Sequence, residues 1–278
     1  MEVRVGTLVD LLPDVQALAT RLWTPESWAH AGQLAWSSAF TDPDSAAAIW
    51  SDGGVDVAAC LLDGPELVVD PAHEAVAAEV IGWAQPADVL VLETEQHLVR
   101  ALADLGFAAD EAPYFRQHLL DLRDIEVPTT DGYTLRPVAA GETAARAACH
   151  RAAWSDVAPS SMTTEKYDGI AGTAPYDRAL DWVATDAAGE MVTSCLVWLA
   201  GEVALVEPVG CAPEHRGRGL AGAVSLAALA ASRDHGATTG LVRPRGDTAY
   251  PVPQRVYRGI GFRPGARTRT FVRHQEDQ

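Results

Sequence analysis

The run Val209-Gly-Cys-Ala-Pro-Glu-His-Arg-Gly-Arg-Gly-Leu-Ala-Gly222 decides how this chain is read. It follows β-branched residues over 203–211, turns at Pro213, and passes through Gly217, Gly219 and Gly222 into an Ala/Leu-rich stretch. That stretch predicts a long helix over residues 220–235, stopped by Gly236. A strand, a glycine-rich turn and a helix in that order have a chemical meaning. Glycine lets the backbone come close to a ligand and adopt conformations that a Cβ forbids. The first turn of a helix carries unpaired N–H groups and a partial positive charge, which together cradle an anion. Arg216 and Arg218 add charge where such an anion would lie. No Gly-Lys-Ser/Thr follows, which argues against a nucleoside triphosphatase P-loop.

Around this run the second half alternates strands and helices. Strands are expected at 133–137, 181–185, 190–199, 203–211, 239–243 and 267–274, with helices at 139–153, within 155–173, at 220–235 and at 253–259. Strands before, between and after helices predict an α/β fold with a mixed sheet. Downstream stands Tyr257-Arg-Gly-Ile-Gly-Phe262, a helix end followed by a closing strand.

Two stretches, Arg216-Gly217-Arg218-Gly219-Leu220-Ala221 and Tyr257 to Phe262, resemble two motifs of the GNAT N-acetyltransferase superfamily in the family's order. The first matches its pyrophosphate motif, Gln/Arg-x-x-Gly-x-Gly/Ala; the second matches its Tyr-x-x-x-Gly-Phe helix ending. The resemblance implies acetyl-coenzyme A as acyl donor, direct transfer to a primary amine and no metal. By that likeness Val209, Gly210, Cys211, Arg216, Gly217, Arg218, Gly219, Leu220, Ala221 and Gly222 bind the coenzyme. The acyl group would lie where two parallel strands splay apart near residues 209–211, with an N–H from Gly210 or Cys211 polarising the thioester. Tyr257 would protonate the departing thiolate. Glu207 is the expected base, or else an acceptor contact or a structural ion pair, since several relatives carry their acid two positions earlier, where this chain has Leu205. Asp247 is a second choice for acceptor contact, and Trp154, Trp182 and Trp198 either line the acceptor pocket or pack the core. Cys211 has no His or Asp partner beside it, which speaks against a covalent intermediate. A coenzyme-binding sensor without turnover, another acyl group, or a protein lysine as acceptor are the alternatives.

The first half carries a weaker version of the same order. Strands are expected at 55–62, 66–69, 89–93 and 114–122, with helices at 72–84 and 96–105. Leu105-Gly106-Phe107 echoes Ile260-Gly261-Phe262. The expectation is two tandem GNAT-like domains, each a mixed sheet flanked by helices: a degenerate copy over 1–126 and a catalytic copy over 127–278, divided by the polar stretch 124–132 with Pro128 and Gly132. Where the second copy has its glycine turn, the first has Asp70-Pro-Ala-His-Glu-Ala-Val76, and Leu102 stands in place of Tyr257. An acidic turn without glycine cannot hold pyrophosphate in the same way.

Length agrees, since 278 residues suit two domains of about 130–150. The whole net charge of −17 falls on residues 1–128, which hold 22 Asp and Glu against 5 Arg and no Lys. Such a field opposes nucleic acid and acidic membranes; it either concentrates a cationic acceptor or serves ordinary acidic solubility. No apolar run of about 18 residues or cationic leader is present, and Cys60, Cys149, Cys195 and Cys211 lack metal-ligand spacing. A cytoplasmic monomer or homodimer with reduced thiols is expected.

Overall fold

The structure, a computed structural model, describes residues 1–110, 113–156, 159–247 and 250–273. The chain forms two compact units. One comprises Met1–Arg116, Arg245–Pro251 and Gly265–Gln278; the other comprises Gln117–Pro244 and Val252–Pro264.

The first unit opens with β1 (Glu2–Thr7), α1 (Leu8–Leu22) and α2 (Ala31–Ser38), then β2 (Ala46–Asp52), β3 (Val55–Leu61) and β4 (Glu66–Val69). Sequence reading assigned nothing before residue 55, yet the signals are there. Thr7 caps α1 by accepting the Asp10 N–H at 3.3 Å, and Leu8, Leu11, Val15, Leu18 and Ala19 form one buried helical stripe. The β2–β3 hairpin turns on Gly53 and Gly54, whose φ of 56° and 81° a side chain would resist. A 3-10 turn, Pro71–Val76, and α3 (Ala77–Ala84) replace the single helix expected over 72–84, because His73 leaves helical geometry. After β5 (Asp88–Leu92), α4 (Gln96–Asp104) and β6 (Phe107–Asp110), the chain leaves the unit at Arg116. Strands β1–β4 make an antiparallel sheet in sequence order; β5 is not part of it. One core, with Trp50, Ile81, Leu98 and Leu102, fills the face under α3 and α4, and another, with Leu11, Val15 and Leu34, the face under α1 and α2.

The second unit takes all of β7 (Arg116–Asp121) but its first residue, then β8 (Thr134–Pro137), α5 (Thr143–Ala153) and α6 (Thr164–Ala171). Helix α5 starts later than expected because Gly141 stands at φ 84°. Next come β9 (Asp181–Thr185), β10 (Met191–Ala200), β11 (Val203–Cys211), α7 (Leu220–Asp234), β12 (Thr239–Val242) and α8 (Val252–Gly259). The sheet order is β7-β12-β11-β10-β9-β8, with β11 and β12 parallel. Val206, Val224, Leu229, Tyr257 and Phe262 pack the α7 side.

The last strand, β13 (Arg263–Arg273), belongs to the first unit from Gly265 onward. It pairs antiparallel with β5, Thr268 opposite Leu92, and with β6, Thr270 opposite Asp110. It starts four residues earlier than the expected 267, and His274 lies outside the described residues. Reciprocally, β7 from the first half pairs antiparallel with β12. Each half of the sequence thus lends its final strand to the other unit. The sequence echo has a common geometry: Gly106 (φ 81°) and Gly261 (φ 101°) end their helices left-handed and aim buried Phe107 and Phe262 inward.

Candidate active site

In the second unit β11 and β12 pair over only three residues, Val203 to Leu205 against Thr239 to Leu241. Strand β12 ends at Val242, so residues 206–211 of β11 run on with their β12 side unpaired. On its other side β11 stays paired with β10 through Cys211 opposite Thr193, across a bulge at the cis Glu207–Pro208 peptide. The Trp198 indole donates to the Glu207 carbonyl at 2.7 Å and fixes that bulge.

Register then assigns the free groups. The Ala212 N–H donates to Val192 O at 2.8 Å, toward β10. By alternation Gly210 also spends its polar groups on β10, whereas Val209 and Cys211 direct theirs into the splay. Of the two N–H donors expected from sequence, Cys211 is the one on the open side, joined by Val209.

The strand ends in the glycine turn. Gly217 and Gly219 both stand at φ 76°, and Gly219 precedes α7 with no side chain capping its first N–H groups. Arg216 bridges this turn to α5. Its guanidinium takes both Asp156 carboxylate oxygens, at 2.7 and 2.8 Å, and donates to the Ala153 and Cys211 carbonyls. Arg218 is exposed and makes no ion pair among the described residues. Leu220 is buried as the first helical residue, and Ala221 is partly buried beside it. Gly222 faces α8 so closely that a Cβ would stand 2.8 Å from Ile260.

Glu207 and Tyr257 both lie on this unit, near enough that the Glu207 charge acts on the Tyr257 phenol. Burial pushes the half-buried Glu207 carboxyl above its ordinary range, with Arg243 opposing. Burial, with Cys195 and Glu207 adding, pushes the Tyr257 phenol far up, so it stays protonated at neutral pH. The ring packs edge-on against Phe262 at 5.7 Å.

No protein-family model matches the chain, and no curated sequence does. Solved structures do. A GNAT-family acetyltransferase from Colwellia psychrerythraea is 15% identical, with a TM-score of 0.66 over 99% of this chain and 100% of that one. A tandem GNAT protein from the clavulanic acid biosynthesis pathway is 18% identical, with a TM-score of 0.63 over 99% and 100%. A GCN5-related N-acetyltransferase from Sphaerobacter thermophilus is 17% identical, with a TM-score of 0.60 over 99% and 98%. The chain has the tandem GNAT fold.

Within that fold the first unit's counterpart turn is closed by its own acid. Asp70 Oδ1 accepts the Ala72 N–H at 2.9 Å, and Asp70 Oδ2 lies 3.4 Å from His73. Leu102 is fully buried at the place equivalent to Tyr257.

The remaining sequence candidates separate. Trp154 ends α5 beside Gly210, its indole nitrogen 3.6 Å from where a Gly210 Cβ would stand. Trp182 donates to Ala179 O and joins the core. Asp247 ion-pairs with Arg245 in the segment Arg245–Pro251, which belongs to the first unit; Thr248 lies outside the described residues. Cys211 accepts from Thr193 at 3.1 Å, and burial raises its thiol, which leaves it a poor nucleophile.

Sequence reading missed a cluster on the α5 side of the tandem GNAT fold's second unit. Arg146, fully buried, donates from Nε to Asp181 at 2.9 Å and lies over the Tyr167 ring at 4.9 Å. Tyr167 and Tyr176 both donate to the other Asp181 oxygen. Tyr176 meets Trp198 edge-on at 6.3 Å, which links the cluster to the bulge at Glu207. One turn from Arg146, buried His150 is pushed down to about 4 by desolvation and then by Arg146 and Arg151. An Arg between alanines in an Ala-rich helix and an Asp opening an apolar strand were the available signals; their pairing across 35 residues was not legible.

Proposed function

We propose that the second unit, with the catalytic copy drawn at 127–278, is an acetyl-coenzyme A-dependent N-acetyltransferase acting on a primary amine of a small molecule. The carrying observation is the six-residue stretch of β11 with an unpaired edge that leads straight into an uncapped, doubly left-handed glycine turn. An amide-bearing arm can pair with the Val209 and Cys211 edge as a strand would. The pyrophosphate meets the amides of residues 217–222 and the Arg218 guanidinium. Arg216, held by Asp156, acts on the turn's shape more than on the ligand.

The acceptor amine gives a proton to Glu207 and attacks the thioester carbonyl. The oxyanion is met by the Cys211 N–H. The C–S bond then breaks, and Tyr257 protonates the leaving sulfur. Exit of the thiol and the amide resets the site once Tyr257 regains the proton held on Glu207. The copy at 1–126 serves as a degenerate partner that does not bind the coenzyme, because its turn lacks glycine and Asp70 caps the Ala72 N–H and adds negative charge.

Calorimetry with acetyl-coenzyme A should give one site per chain, abolished in Gly219→Asp. Tyr257→Phe should keep that binding and lower kcat roughly 100-fold on whichever amine is turned over. Two sites, or none, would sink this reading. Binding without turnover across a broad amine panel would favour a coenzyme sensor instead.

A further inference from the structure

The first unit repeats the open strand edge of the second without its phosphate turn. The Asp70 N–H donates to Val57 O at 2.8 Å, just as Ala212 does to Val192. By alternation Val68 faces β3, while Leu67 and Val69 turn their N–H and C=O groups away from it. Among the described residues no strand receives them, since β4 ends one sheet and β5 belongs to the other. One group is met by a side chain: His97 Nε2 lies 3.0 Å from Val69 O. The Leu67 N–H and C=O and the Val69 N–H remain.

They border a cavity of about 210 Å³, walled by β4, the start of α4 and the loop between α1 and α2. Burial lowers the His97 pKa, so its ring is neutral there at pH 7. Three carboxylates line the cavity, Glu26, Glu74 and Glu95, against one guanidinium, Arg100, which pairs with Glu74. Glu95 is turned inward and takes the Trp28 and Leu92 N–H groups. Glu26 is exposed at the rim and forms no ion pair among the described residues. Nearby, Asp70 has closed the one turn where a phosphate would sit.

An edge of unpaired amides selects a ligand that has amides of its own and lies extended. The excess of carboxylates selects a cation and rejects phosphates. We propose that this cleft binds a short basic peptide, main chain paired to Leu67 and Val69 and its cationic group toward Glu26.

The test is calorimetric titration of the full chain with alanyl-lysinamide. One saturable site is expected, unchanged in Gly219→Asp, which separates it from the coenzyme site. Val69→Pro deletes a gap-facing N–H on an edge strand, at some loss of packing because the Val69 side chain lies in the core, and should weaken binding at least about tenfold. A peptide methylated on its central amide nitrogen should lose as much on the wild-type chain, which covers the case that the proline variant does not fold. Equal binding of the methylated peptide, spermidine binding as well as the peptide, pantetheine binding better, or no saturation by roughly 10 mM would each overturn the proposal.

Discussion

Two titrating side chains in the second unit carry opposite pH signatures. Glu207 has a folded pKa raised by burial, so its contribution to stability is fully present below the unfolded value and is lost as pH rises through the folded one. Glu207→Gln should therefore raise the unfolding midpoint at pH 8 while lowering kcat/KM roughly 100-fold and removing the acidic limb of the pH–rate profile. An unchanged limb would assign the base elsewhere. His150 behaves in the opposite sense. Its folded pKa is pushed down to about 4, so stability is complete above about 6.5 and falls as pH drops toward 4. That window spans roughly 3 kcal/mol for a buried imidazole. Denaturant unfolding of His150→Gln at pH 7 and pH 4.5 should show a shallower loss than wild type. The residue scale was only partly legible: Tyr257 and the glycines announced themselves by spacing, whereas nothing local marked Arg146 as the partner of Asp181.

At the scale of elements, the contact that sets α5 against β11 depends on the absence of one methyl. A Cβ on Gly210 would stand 2.6 Å from the Ala153 Cβ, a distance real side chains do not adopt. Gly210→Ala should therefore move the end of α5, costing about 1–3 kcal/mol. It should also disturb Arg216, whose Nη2 rests on the Ala153 carbonyl. Equilibrium unfolding and the acetyl-coenzyme A affinity of this variant measure both effects; a change in neither would mean the helix end gives way freely. Most elements were predictable because their apolar period is local: α7 and β10 read directly. The bulge at Glu207–Pro208 was open to expectation only through the family resemblance, since it exists only against the register of β10.

For the whole molecule, the exchange of last strands has a direct consequence. Phe271 on β13 sits in the first unit's core with Leu98, Leu102 and Phe107. A chain ending at Pro264 loses the strand that pairs with both β5 and β6, and its first unit should fail to fold cooperatively. Phe271→Ala should cost about 3–5 kcal/mol in the same unit. Conversely, a fragment 127–278 lacks β7, the antiparallel neighbour of β12, and loses Leu122 from the second unit's core. A fragment 117–264 keeps both. Circular dichroism melting of the two fragments should give a cooperative transition for 117–264 alone.

The amino-acid sequence by itself determined the α/β alternation, the glycine turn before α7, the helix end at Tyr257 to Phe262, and the glycine-free, acidic turn of the first half. These are short-range features: a φ above zero, a helix terminus or an acidic cap needs only neighbours within a few residues. Tertiary structure alone decided which N–H groups face the splay, which unit owns β7 and β13, and that Arg146 is buried against Asp181. Each of these depends on which distant strand or helix is the partner, and hydrogen-bond register and burial are properties of the pair that neither segment carries alone.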